Sequence, residues 1–230
     1  MRIWAVVPAA GVGLRYRSTI PKQYLPLCGI PVVLHSINRL LKIKEIEEVF
    51  VVLSPEDTFW QKLDYSHPKL KTTLGGCHRS ESVSNALNDL SAKADEEDWV
   101  LVHDAVRPCV SQSDIQKLIE AIRNEDIGGL LAYPLSDTIK EVDNSLSVHK
   151  TIDREKLWSA MTPQIFRYGL LKKAYTEAIL TGLSVTDEAS AIELLGLRPK
   201  IIQGKKTNIK MTHAEDMALA ESIISAWVDN

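Results

Sequence analysis

Short apolar runs alternate with stretches of helical hydrophobic period along the whole chain, and that alternation limits what the chain can fold into. Ile3–Val7, Val49–Leu53, Val100–His103, Gly129–Tyr133 and Lys200–Ile202 read as strands. Between them lie amphipathic stripes. Val83, Ala86, Leu87 and Leu90 recur at i, i+3, i+4 and i+7, as do Leu171, Ala174, Tyr175 and Ala178. Ile115, Leu118, Ile119 and Ile122 repeat the spacing, and Val33, Ile37, Leu40 and Leu41 form a similar stripe. Thr212-His213-Ala214-Glu215 reads as a capping box that opens a last helix through Met217, Ala220, Ile224 and Trp227. Strands separated by helices of this length predict a doubly wound α/β fold, a mostly parallel (mixed) sheet with helices on both faces. With no linker, repeat or low-complexity stretch, residues 1–230 read as a single domain.

One segment breaks the alternation. Ile139–Val142 and Leu146–Ile152 flank Asp143-Asn144-Ser145 and predict a protruding β-hairpin, with residues 135–156 as an arm. A lone hairpin is marginal in water. It is therefore a local flap or an arm that rests on a second subunit, and the residues alone leave both open.

Composition narrows the function classes. Of 230 residues, 27 are Lys or Arg and 30 are Asp or Glu, a net charge of −3. A basic footprint for nucleic acid is absent, so no nucleic-acid partner is expected. No apolar run reaches the roughly 18–20 residues of a membrane helix, so no membrane partner is expected either. Met1–Ala10 imitates a signal peptide, but its apolar stretch before Pro8 is shorter than the usual roughly 7–15 residues, and it reads as a first buried strand. Cys28, Cys77 and Cys109 show no CxxC spacing, which argues against a disulfide framework and a zinc site and fits a reducing cytoplasm. The six histidines carry no HExxH spacing, so any metal is expected to be hard and oxygen-bound.

Open α/β sheets bind ligands beyond the carboxyl ends of their strands. The polar and glycine clusters of this chain fall at those ends. Pro8–Arg15 follows the first strand, Gly75-Gly76 precedes a helix starting near Ser80–Ser82, and Asp104 with Arg107-Pro108 follows Val100–His103. Gly11-Val12-Gly13-Leu14-Arg15-Tyr16 lacks the third glycine of a dinucleotide loop and the acidic residue about 20 positions on, so an NAD-dependent oxidoreductase is disfavoured. The loop is not a Walker motif either. Glycines let backbone N–H groups approach phosphates closely, and Arg15 and Lys22 flank the loop with two cations, which suits a triphosphate.

At this point the residues carry a resemblance. Pro8–Arg15 with Pro21-Lys22-Gln23 is similar to the nucleotide loop of sugar-phosphate nucleotidyltransferases. Gly75–Val83, His103–Pro108, Asp137–Lys140, Thr151–Arg154, Leu157-Trp158, Thr162–Gln164, Thr186–Ser190 and Asn208–Lys210 follow in order. Together they resemble the 2-C-methyl-D-erythritol 4-phosphate cytidylyltransferase family of non-mevalonate isoprenoid biosynthesis, over about residues 3 to 225. Val106 and Tyr16 stand where that family often carries alanine and methionine. Val106 also occurs in the related ribitol-5-phosphate cytidylyltransferases, so ribitol 5-phosphate is the alternative acceptor, but Thr151–Arg154 with Leu157-Trp158 and the Pro8-Ala9-Ala10 opening favour 2-C-methyl-D-erythritol 4-phosphate.

The resemblance implies that CMP passes from CTP to a polyol phosphate, with release of pyrophosphate. It implies that Arg15 and Lys22 stabilise the reacting phosphates, and that Arg154 and Lys210 act with them in catalysis. Ala9, Ala10, Gly11, Gly13, Gly76 and Ser82 would bind CTP, the last two at the cytosine. Asp104, Arg107, Thr138, Thr162 and Thr186 would bind the acceptor, with Asp104 also beside Mg²⁺ or another hard divalent cation. Ser82 as a helix-start hydroxyl and Thr186 as a helix N-cap are competing readings of the same residues. The arm is expected to cross to a second copy, making a homodimer in which Thr138 and Arg154 complete the neighbour's site. A domain that senses CTP without turnover is the alternative from another class.

Overall fold

The structure, a computed structural model, describes residues 1–11 and 20–228. β1 (Ile3–Pro8) is followed by a short ribbon of β2 (Pro26–Leu27) and β3 (Ile30–Pro31), and then by α1 (Val32–Leu41). β4 (Ile46–Leu53), β5 (Leu70–Leu74), α2 (Arg79–Asp89), β6 (Trp99–Val102), α3 (Gln112–Ala121) and β7 (Gly128–Pro134) come next. The remainder comprises β8 (Ile139–Val142), β9 (Val148–Ile152), β10 (Trp158–Arg167), α4 (Tyr168–Thr181), α5 (Glu188–Leu194), β11 (Lys200–Gln203) and α6 (Asp216–Val228).

Among the described residues, seven strands form the main sheet in the order β11-β7-β10-β6-β1-β4-β5. β10 pairs antiparallel with β6 and β7, and the other pairings are parallel. This is the expected mixed, doubly wound sheet. Residue alternation on each strand builds one core on each face. On β1, Ile3, Ala5 and Val7 pack under α1 and α3, while Trp4 and Val6 pack with α2, α4 and α5. A third cluster joins α6, through Ala220 and Ile224, to Leu27, Val32 and Met211. None of the described helices is long and apolar enough to cross a membrane.

β5 and β10 do not follow the simple apolar-run signal. β5 is an edge strand with Lys71, Thr72 and Thr73 on it, so it lacks a continuous apolar run. β10 carries Pro163, which a central strand normally rejects because it cannot donate to the ladder. The β7–β10 register shifts between Ala160 and Gln164, so the proline sits in an irregularity rather than in a regular ladder position.

β10 also explains where the arm emerges. β7 ends at the carboxyl edge of the parallel strands, and β10, running the other way, begins at that edge. The connection between them must therefore project from the edge where ligands bind. β8 and β9 form a separate two-stranded ribbon there, with Val142, Leu146 and Val148 exposed. The Asp143 carboxylate accepts from the backbone N–H groups of Ser145 and Ser147, which closes the turn.

The last helix starts later than the capping-box spacing suggests. The expected capping box does not form: the Thr212 hydroxyl donates to Asp216, whose carboxylate also accepts from the Thr212 and His213 backbone N–H groups. The sequence contains both acids side by side, and only the second reaches back.

Gly128 has φ +127°, and a Cβ added there would overlap the Ile165 carbonyl oxygen and approach Phe166 Cα at 2.8 Å. Gly128→Ala is expected to destabilise the protein by about 3 kcal/mol. Thermal denaturation should show Tm lowered by about 6–12 °C, and an unchanged Tm would contradict the β7–β10 contact.

Candidate active site

The chain leaves β1 at Pro8 and enters the glycine loop. Gln23, almost fully buried, donates its amide to the Ala9 and Gly11 carbonyls at 2.8 and 3.0 Å and staples the start of the loop. Gly13, Arg15 and Tyr16 lie outside the described residues. Lys22 donates to the Met211 carbonyl at 3.0 Å, which ties the loop's far end to the segment that carries Lys210.

β5 delivers a second loop. A Cβ on Gly75 would lie 2.7 Å from both Ala10 Cβ and Ser82 Oγ, so glycine is what lets the two loops touch. Gly76 is similarly tight against Glu81. Ser82 is buried; its hydroxyl donates to the His78 carbonyl and accepts from the Gly76 N–H. Its donor hydrogen thus serves the loop, although Ser82 still lines the cleft. Glu81 accepts from the Cys77 N–H and holds the same turn. The resulting cleft, about 180 Å³, is lined by Ala9, Ala10, Gly11, Lys22, Gly76, Ser82, Asp104 and Lys210, among others.

β6 ends in the charge centre. Asp104 is buried, with Oδ1 3.0 Å from Arg79 Nε and Oδ2 2.8 Å from Lys210 Nζ; Arg107 Nε lies 3.7 Å from Oδ2. Burial opposes its ionisation, but Arg79, Lys210 and Arg107 together hold the carboxyl well below the usual range. Arg79 also grips Glu188, with NH1 and NH2 at 2.8 and 3.1 Å from the two carboxylate oxygens. Tyr175 donates its hydroxyl to the same Glu188 at 2.9 Å. Arg107 donates to the Asn208 carbonyl at 2.7 Å, and Asn208 donates its amide to the Thr162 carbonyl.

A neutral histidine underpins this turn. His103 Nε2 lies 3.1 Å from the Arg107 carbonyl, so that nitrogen carries the proton, and Nδ1 accepts from the Thr162 hydroxyl at 3.1 Å. The Thr162 oxygen in turn accepts from the Asp104 N–H at 2.9 Å. Complete burial pushes the His103 pKa down to about 4.

A second cavity of about 200 Å³ adjoins this cluster. Thr162, Arg107, Thr186 and Asp187 line it, and Arg79, Asp104 and Lys210 belong to both cavities. Thr186 is exposed and does not cap a helix; Asp187 caps α5, accepting from the Ser190 N–H. Thr138 and Arg154 lie exposed on the arm and line neither cavity; Arg154 donates to the Ser136 carbonyl. Gln23, Arg79, Glu188 and Asn208 lie in the motif blocks quoted above but carry no assigned role there, and Tyr175 reads there only as part of an apolar stripe. A tyrosine within the apolar stripe of α4 needs a buried partner for its hydroxyl.

Among the described residues, no group of three or more His, Cys, Asp or Glu side chains is placed to hold a metal ion. A divalent cation here has Asp104 as its candidate carboxylate and depends on ligand oxygens for the rest.

A family model described as 2-C-methyl-D-erythritol 4-phosphate cytidylyltransferase matches residues 3–226. The chain belongs to this family. The enzyme of that name from Dechloromonas aromatica is 46% identical over 228 residues, covering 98% of each chain. The one from Vibrio vulnificus strain CMCP6 is 45% identical over 226 residues, 98% of this chain and 95% of the other. The crystal structure of the Francisella tularensis enzyme superposes with a TM-score of 0.85 at 36% identity, covering 97% of this chain and 100% of that one. The family assignment favours the methylerythritol acceptor over ribitol 5-phosphate.

The buried neutral His103 makes stability pH-dependent. Its pKa falls from 6.5 unfolded to about 4 folded, so between those values the unfolded chain binds more protons. Stability should therefore rise with pH across that window, by up to about 3 kcal/mol from this group. Chemical denaturation at a series of pH values should show the rise, and His103→Gln should flatten it; an equal slope in both proteins would remove His103 as the cause.

Proposed function

We propose that this chain joins CTP to 2-C-methyl-D-erythritol 4-phosphate, forming 4-diphosphocytidyl-2-C-methyl-D-erythritol and pyrophosphate. The observation that carries this reading is the wall of Arg79, Asp104 and Lys210 shared by two cavities, one at the glycine loop and one toward Thr186. Two phosphorylated substrates placed one on each side meet at that wall.

The chemistry needs little from the protein beyond placement and charge. An oxygen of the acceptor's phosphate attacks the α-phosphorus of CTP. The bond to the bridging oxygen breaks, and pyrophosphate departs with the electron pair. A phosphate monoester has its second pKa near 6 and is already ionised at neutral pH, so no general base is required. The barrier is the approach of two anions, which fixed cations lower. Lys22 and Arg15 serve the triphosphate, and Lys210 orients the acceptor's phosphate from its seat on Asp104. Gly76 and Ser82 face the cytosine, and Ala9, Ala10, Gly11 and Gly13 offer backbone groups to CTP. Arg107, Thr162 and Thr186 border the acceptor.

The cofactor in this reading is Mg²⁺. One protein carboxylate with phosphate oxygens and water is its usual coordination in nucleotide sites; Asp104 is that carboxylate in this reading, and the ion would share oxygens already bonded to Arg79 and Lys210. When bound, the ion neutralises charge on the triphosphate.

Residues 1–230 act as one nucleotidyltransferase domain, with 135–156 as a dimerisation arm. The exposed Val142, Leu146 and Val148, and the absence of Thr138 and Arg154 from the lining of the two cavities, support a homodimer in which each arm completes its neighbour's acceptor site. The free cysteines suit a cytoplasmic setting.

Pyrophosphate release with CTP should be faster with methylerythritol phosphate than with ribitol 5-phosphate, and should fall with ATP, GTP and UTP; the reverse acceptor order would transfer the assignment. Lys22→Ala should lower kcat by roughly 10²–10³. Mixing Arg154→Ala with Lys210→Ala subunits, each inactive alone, should restore about a quarter of wild-type activity if sites are shared across a dimer. A mixture as inactive as its components, or a monomer by sedimentation, would refute the shared site.

A further inference from the structure

We propose that Glu188 is a positioning residue for the acceptor, acting through Arg79. This deepens the activity proposed above and rests on it. Glu188 is completely buried and opens α5, directly after Thr186 and Asp187, which border the acceptor-side cavity. Arg79 opens α2, directly after the loop that borders the nucleotide cleft. Their two-point ion pair joins the walls of the two cavities.

The pair belongs to a chain of alternating charge: Lys210, Asp104, Arg79, Glu188, and then the Tyr175 hydroxyl. A guanidinium has five N–H groups in a fixed fork. Arg79 spends three of them here, one on Asp104 and two on Glu188. It therefore works chiefly as a rigid spacer between the carboxylates. Glu188 fixes where Arg79 sits, Arg79 fixes Asp104 Oδ1, and Asp104 Oδ2 holds Lys210. The nucleotide loop has its own fasteners in Gln23, Glu81 and Ser82, none of which bonds to Glu188. Arg79, Asp104 and Lys210 border both cavities, but the nucleotide side keeps these further fasteners, so weakening Glu188 should disturb the acceptor side more than nucleotide binding.

Glu188→Gln keeps the size, removes the charge and turns an N–H₂ group toward Arg79. Partners that support a ligand-holding group directly typically matter by roughly 10–100-fold, and Glu188 supports Lys210 through Arg79 and Asp104, so the low end of that range applies. The expected result is a fall of about tenfold in kcat/KM for 2-C-methyl-D-erythritol 4-phosphate, with a raised acceptor KM. CTP affinity, read by calorimetry without acceptor, should stay within about threefold. Tyr175→Phe removes one hydrogen bond to Glu188 and should act in the same direction, by about threefold. It decides the matter if the glutamine variant does not fold. Two results would overturn the inference: unchanged acceptor kinetics, or equal losses of activity and of CTP-binding stoichiometry with unchanged KM, which would mean only a smaller folded fraction. Wild-type protein measured alongside separates the two claims. No pyrophosphate from it refutes the activity assignment and this inference with it, whereas normal wild-type turnover with an unaffected Glu188→Gln refutes the inference alone.

Discussion

The site depends on a single buried carboxylate that keeps three cations close together before any substrate arrives. Arg79, Arg107 and Lys210 come from the start of α2, the turn after β6 and the segment before α6. Placed near one another without an anion they would repel, and in a partly dry cleft that repulsion is poorly screened. Asp104 offsets it, and its own burial is tolerable only because the cations surround it. The arrangement is a preorganised cluster of cations, which the proposed reaction would use without rearranging it. Glu188 extends the logic one layer deeper, since Arg79 is divided between two carboxylates and is fixed by both.

The sheet explains why these segments meet. β1 connects outward to β4 and β5, and the chain then returns to place β6 on the other side of β1. The carboxyl ends of β1 and β6 therefore flank a switch point, where the loops that follow diverge and leave a crevice. The reversed strand β10 adds a third contribution. Because it starts at that same edge, it brings Thr162 beside His103 and the Asp104 backbone. A parallel strand in its place would have presented its last residues there, and the connection from β7 would have had to cross the sheet. The arm and the Thr162 contact are two results of one reversal.

Much of this was legible in the residues. The alternating periods marked the parallel strands and the helices, and the clusters at strand ends marked the rim. What escaped did so for identifiable reasons. β10 was hidden by Pro163, because a local rule against proline in central strands cannot foresee a register irregularity that accommodates it. Glu188 reads locally as an ordinary acidic residue in the first turn of a helix, where it is favourable for reasons unrelated to Arg79. Only the tertiary packing of α4, α5 and α2 puts it against a guanidinium 109 positions away in sequence. Thr162 and Ser82 were recognised as site residues, yet both hydroxyls already support neighbouring backbone.

That last point bears on how such a site divides its labour. A hydroxyl that donates to a buried carbonyl or imidazole cannot give the same hydrogen to a ligand. Ser82 spends its hydrogen on His78 and Thr162 spends its own on His103, so each keeps only acceptor capacity for a substrate. The cytosine amino group is a donor and suits an acceptor at Ser82. In the proposed reaction the strong donors that a phosphate demands come from Lys22, Lys210 and the loop backbone. In that reaction the neutral side chains therefore shape and orient and the cations bind charge, with Asp104 holding Arg79 and Lys210 in place and Glu188 holding Arg79.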